Sequence, residues 1–152
     1  MKYLIVLLLL GVFAPAQAAQ LLPVEQRPNI PADEAWELAG QGRLTIIDIR
    51  TPQEWRQTGV AEGVVRINML HPNGPSGFAA EVLRQVDGDR DAPIGLICRT
   101  GNRTTQVQRY LLSQGFTQVY NIREGMAGSA AGPGELLDVA VTAADGVDLL
   151  AV

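Results

Sequence analysis

The 152-residue chain is 47% hydrophobic and 18% charged, the balance of a globular protein rather than a disordered one. A net charge of −4 without a basic stripe argues against nucleic acid and anionic membrane surfaces as partners. The single cysteine excludes an intramolecular disulfide, and one cysteine with one histidine argues against zinc.

Met1-Lys2, the apolar run Tyr3–Phe13 and the small-residue stretch Ala14–Ala18 form the three regions of an export signal. Ala16-Gln17-Ala18 predicts cleavage after Ala18, hence a periplasmic or secreted protein. The apolar run is short for a membrane span, and no lipoprotein cysteine follows it, so no stable membrane anchor is expected. The mature chain of about 130 residues suits one domain, expected over 29–132 after a linker at 19–28, with 133–152 as an extension. The linker expectation comes from the Pro-bearing run Leu22–Pro31.

Asp33–Ala39 reads as a short helix with acidic residues at its N-terminus, ended by Gly40 and Gly42, and Trp36 is expected in the core. Leu44–Ile49 is a strand. Thr51-Pro52-Gln53-Glu54 has a capping-box pattern and predicts a helix to about Gln57. Asp48 and Glu54 are expected to cap backbone groups and to pair with Arg50. Val64–Asn68 is the next strand, His71 a solvated loop residue, Pro72–Gly77 a loop and Phe78–Val86 an amphipathic helix.

Asp87–Asp91 turns the chain into Ile94–Ile97, an apolar run suited to a strand buried on both faces. Cys98 follows, and Thr100-Gly101-Asn102 breaks the chain before a helix from Arg103. Val107, Tyr110 and Leu111 give that helix an apolar face. Gly115 is its predicted C′ residue, and Phe116 is placed to fold back over the last turn. Val119–Ile122 is the last strand. Pro133–Val152 is acidic and aliphatic and carries no chemical motif; a hairpin, a partner site and a free tail all fit it.

A thiol at the carboxyl end of a buried strand faces unpaired amides of the loop and helix N-terminus. Those amides, the helix dipole and the charges of Arg99 and Arg103 all favour a thiolate at Cys98. Without a C-x-x-C pair, dithiol chemistry has no resolving partner, so anything loaded on Cys98 must leave to an external acceptor.

Cys98-Arg99-Thr100-Gly101-Asn102-Arg103-Thr104 resembles the active-site loop of rhodaneses, and Asp48–Trp55 resembles the strand-turn-helix signature that precedes it. Arg123-Glu124-Gly125-Met126 is similar to the glycine-bearing turn that follows. The resemblance spans about Asn29 to Ala131 and is close to single-domain periplasmic thiosulfate sulfurtransferases of the phage-shock type. The loop's closing arginine lies five positions after the cysteine, at Arg103; related cysteine phosphatases place it six after, where this chain has Thr104. Gly59–Val64 lacks the histidine and proline that members commonly carry there.

Alternating strands and helices predict an α/β domain with a mainly parallel sheet flanked by helices on both faces, its site at the strands' carboxyl ends. The resemblance implies a sulfurtransferase with Cys98 as nucleophile and Arg99, Thr100, Gly101, Asn102, Arg103 and Thr104 binding substrate. Asp48 and Arg50 would support the loop. It implies an anionic sulfur donor such as thiosulfate, a thiol, cyanide or protein acceptor, and neither cofactor nor metal. Two other readings are a cysteine phosphatase or arsenate-type reductase, and a non-catalytic anion-binding or persulfide-carrying module.

Overall fold

The structure, a computed structural model, describes residues 27–127 and the backbone of a short strand at Val141–Thr142. The expected export signal and most of the 133–152 extension lie outside the described residues. In order, β1 is Asn29–Ile30, α1 Ala32–Gly40, β2 Thr45–Asp48, α2 Pro52–Thr58, β3 Val60–Ala61 and β4 Val65–Arg66. Then come α3 (Gly74–Gln85), β5 (Ile94–Ile97), α4 (Asn102–Ser113), β6 (Val119–Ile122), a 3-10 turn at Gly125–Ala127 and β7 (Val141–Thr142).

Five strands form one sheet in the order β1-β6-β5-β2-β4, and every neighbouring pair is parallel. β5 lies between β2 and β6 with all of its residues buried, which is why Ile94–Ile97 reads as a continuous apolar run. The two-residue period of a strand sends its side chains to opposite layers. Ile94, Leu96 and Cys98 join Phe78 and Val82 of α3 and Val107 and Leu111 of α4, while Ile97 joins Ala35 and Leu38 of α1. Cys98 is thereby aimed at the α4 side of the sheet, at the end of its most buried strand.

Both α1 and α4 end in a glycine-bearing Schellman turn. In α4, Gly115 (φ +89°) donates to the Leu112 carbonyl and Phe116 to that of Leu111, and Phe116 packs into the Leu111 cluster as its position predicts. In α1, Gly42 donates to the Ala39 carbonyl and Arg43 to that of Leu38. The capping box of α2 is fully formed: the Thr51 hydroxyl accepts from the Glu54 amide, and the Glu54 carboxylate accepts from the Thr51 amide.

Three expectations change. The run to Pro31 is not wholly linker, because Asn29–Ile30 adds a parallel strand beside β6; two residues are too few to show a period. α3 starts at Gly74 rather than Phe78, since Pro75 in a first helical turn forfeits no internal hydrogen bond. Trp36 of α1 is half-buried, packed against the cluster of Ile30, Ala35 and Leu38 rather than within it. β7 pairs antiparallel with β3, Val60 opposite Thr142 and Ala61 opposite Val141.

Candidate active site

Three pieces of chain build the site: the loop from Cys98 to Thr104, the start of α2, and the turn after β6. Cys98 is 1% exposed. Gly101, in the left-handed conformation (φ +82°), brings the loop back so that its amide donates to Sγ at 3.2 Å. A Cβ there would lie 2.3 Å from the Arg123 carbonyl oxygen, so backbone packs where a side chain would stand.

The carbonyls of Cys98 and Arg99 are turned the other way. Met126 donates its amide to the Cys98 carbonyl at 2.8 Å, and Ala127 donates to that of Arg99 at 2.9 Å. Gly125 (φ +59°) permits this approach; its Cβ would fall 2.5 Å from the Cys98 oxygen and 2.7 Å from that of Arg99. With those two carbonyls held outside, amides face the sulfur. Burial alone would raise the thiol's pKa, but the Thr104, Thr100 and Gly101 amides and the Thr104 hydroxyl outweigh it and hold Cys98 below its ordinary range. The Thr104 hydroxyl stands 3.7 Å from Sγ.

Arg103 does not stand free at the mouth. Its Nη1 donates to Glu54 Oε2 at 2.9 Å and its Nη2 to Oε1 at 2.5 Å. The Arg103 guanidinium, opposed by partial burial and aided by bonds from Thr51, lowers the Glu54 carboxyl to about 2. Glu54 in turn raises Arg103 above its ordinary range, with a smaller contribution from the Cys98 sulfur. Arg99 is exposed, and among the described residues neither a hydrogen bond nor an ion pair ties its side chain down.

Residues 31–131 match the rhodanese-like domain family. The chain belongs to that family. The rhodanese-like domain is 30% identical over 97 residues to the thiosulfate sulfurtransferase GlpE of Pseudomonas syringae, covering 64% of this chain and 81% of the relative. The protein of that name from Pseudomonas fluorescens is 31% identical over 97 residues, covering 64% and 79%. Among solved structures it resembles Rv0390 from M. tuberculosis at 30% identity and a TM-score of 0.53, covering 66% of this chain and 80% of that one. A rhodanese-like domain from Anabaena, at 22% identity and a TM-score of 0.54, covers 83% and 92% and shares the fold.

Within this rhodanese-like domain the structure gathers the Cys98–Thr104 loop around the sulfur, with Thr100, Gly101 and Thr104 bonding to it and Arg103 as the charge that interacts with it. Asn102 is the exposed first residue of α4. Asp48 and Arg50 form a buried pair, Nη2 to Oδ2 at 2.7 Å, and Arg50 also donates to Thr58 Oγ1 at 2.6 Å and the Gly59 carbonyl at 2.8 Å. Arg50 therefore ties the end of β2 to the end of α2 and spends its hydrogen bonds there rather than on the sulfur. The expected pairing of Glu54 with Arg50 is replaced by its pairing with Arg103, because α2 carries Glu54 over the loop. His71 accepts the Asn73 amide at 3.1 Å, a turn-forming role.

Sequence reading passed over Asn121, a buried polar residue within β6. An asparagine inside Val-Tyr-Asn-Ile is itself a signal, since a buried amide in a strand must find partners. Among the described residues no cluster of His, Cys, Asp and Glu could hold a metal ion, and no helix is long and apolar enough to cross a membrane.

Proposed function

We propose that the protein is a thiosulfate-type sulfurtransferase acting through a persulfide on Cys98. The observation that carries this reading is the loop's polarity: amides face a buried thiol whose pKa they lower, while the Cys98 and Arg99 carbonyls bond to the turn behind. In the first half-reaction the Cys98 thiolate attacks the outer sulfur of thiosulfate. A bond forms between Sγ and that sulfur, and the sulfur–sulfonate bond breaks with its electron pair leaving on sulfite. In the second, cyanide or a thiolate attacks the terminal sulfur and Cys98 departs as thiolate, so no oxidant or reductant is required. The same amides that favour the thiolate would stabilise the charge on the persulfide, as an oxyanion hole does.

Arg99, exposed at the loop, supplies attraction for an anionic donor, and Arg103 fixes the loop against α2. A phosphatase reading is weaker, because the position six after Cys98, where related cysteine phosphatases carry their arginine, is Thr104, and Arg103 at five is paired with Glu54. The export-signal pattern of residues 1–18 supports a periplasmic or secreted location for this chemistry. The relatives named thiosulfate sulfurtransferase support the reaction class.

The test is intact mass after exposure to thiosulfate. Gain of one sulfur atom, removed by cyanide or a thiol and absent in Cys98→Ala, is expected. Full thiosulfate:cyanide activity in Cys98→Ala would overturn the proposal.

A further inference from the structure

Thr104 carries one hydroxyl proton, and three groups compete for it. Its Oγ1 lies 2.7 Å from the Gly101 carbonyl oxygen, 2.5 Å from Asn121 Oδ1 and 3.7 Å from Cys98 Sγ. The Gly101 carbonyl only accepts, and it already takes the Thr105 hydroxyl at 3.1 Å. When Cys98 is a thiol, its S–H can donate to Oγ1 while the hydroxyl proton points to Asn121. When the sulfur is charged, it needs that proton, and Asn121 Oδ1 would then face a bare oxygen at hydrogen-bond distance.

An amide resolves the conflict at Asn121, while the Gly101 carbonyl keeps the Thr105 hydroxyl as its donor in either state. Its two ends are nearly equal in shape, so turning it over presents Nδ2 to Oγ1 without moving a heavy atom far. The surroundings of Asn121 allow the turn. Its other end contacts Asn29 Oδ1 at 2.9 Å and Thr105 Oγ1 at 3.4 Å. Asn29 is an exposed amide that can itself reverse and present its Nδ2 to the turned Oδ1, so the Thr105 hydroxyl need not leave the Gly101 carbonyl. Asn29 and Asn121 are register partners across β1 and β6, so the strands themselves bring the two amides together.

We propose that Asn121, held by Asn29 of β1, is a positioning residue that directs the Thr104 hydroxyl proton toward Cys98 when the sulfur is charged and away when it is neutral. The residue type follows: aspartate could only accept, and leucine could do neither. Apart from Cys98 itself, the side-chain hydrogen-bond partners of Thr104, Asn121 and Asn29 among the described residues are uncharged groups. The charged group that acts on the sulfur is Arg103 of α4, itself paired with Glu54 of α2.

The inference rests on Cys98 being the reacting group of the proposed sulfurtransferase, yet its test does not require sulfur transfer. Cys98 is the only cysteine, so alkylation of the full-length protein by iodoacetamide across pH reports this thiol alone. Asn121→Leu is expected to raise the midpoint of the alkylation profile by about one pH unit, the size set by one hydrogen bond to a charged group. Thr104→Val is expected to raise it at least as far, and the double variant no further than Thr104→Val alone. A profile for Asn121→Leu that superimposes on wild type, or shifts that add in the double variant, would overturn the proposal. If Asn121→Leu does not fold, Asn29→Ala decides: a smaller rise that disappears in the Thr104→Val background supports the assignment, and an unchanged profile overturns it.

Discussion

Glu54 of α2 and Arg103 of α4 grip each other through both carboxylate oxygens, although 49 residues separate them in the chain. One carboxylate thus closes the capping box of its own helix and anchors the arginine of the sulfur loop. The pair is partly solvent-exposed, 33% for Arg103 and 24% for Glu54, so screening reduces what it contributes to about 1 kcal/mol.

That pair gives a pH signature. The carboxyl of Glu54 is lowered in the fold from 4.5 to about 2, so its contribution is complete above the higher value and is lost as pH falls through the lower one. Glu54→Gln should therefore be less stable than wild type by roughly 1 kcal/mol near about pH 6, and the difference should vanish toward about pH 2. Urea midpoints of both proteins across that range check it. A difference independent of pH would show that the carboxylate's charge is not what matters.

Gly125→Ala should damage chemistry more than folding. The added methyl group meets the Cys98 and Arg99 carbonyls and must push the loop away from the sulfur geometry. A displacement of about 1 Å is expected to lower the rate of sulfur transfer on the order of 10²-fold. Steady-state assay beside a thermal melt separates the two effects.

Arg50→Met should destabilise the domain by about 3–5 kcal/mol, because it strands the fully buried Asp48 carboxylate. Adding Asp48→Leu should recover part of that loss, since neither charge then remains in the interior. Urea unfolding of the single and double variants measures both. Thiol alkylation at Cys98 is expected to keep its pH profile in whichever variants fold, as Arg50 bonds to α2 and not to the loop.

Arg99→Ala should weaken thiosulfate binding a few-fold with little change in turnover number. Its side chain is exposed, and a charge at the loop mouth acts through a field that salt screens. The KM difference from wild type should shrink as ionic strength rises.

Much of this was legible in the sequence because the signals were local. The capping box at Thr51, the glycine stop at Gly115 and the unbroken apolar run of β5 each depend on neighbours a few residues away. What escaped depends on distant pairing. β1 exists only because β6 lies beside it, and Glu54 reaches Arg103 only once α2 folds over α4. Asn121 belongs to the same class: its partners Asn29 and Thr104 come from a neighbouring strand and the loop. In the active site, residue types pointed to a reactive thiol, while the division between Arg103 as anchor and Arg99 as exposed cation required coordinates.

The outermost parallel strand, made early in synthesis, finds its neighbour only after 92 further residues have been added. The turn that grips the back of the Cys98 loop is also among the last parts made, at Gly125–Ala127. A nascent chain therefore carries its sulfur for some time with the surrounding amides not yet arranged. The amide ring that lowers the Cys98 thiol's pKa is backed only once the segment after β6 has packed behind it.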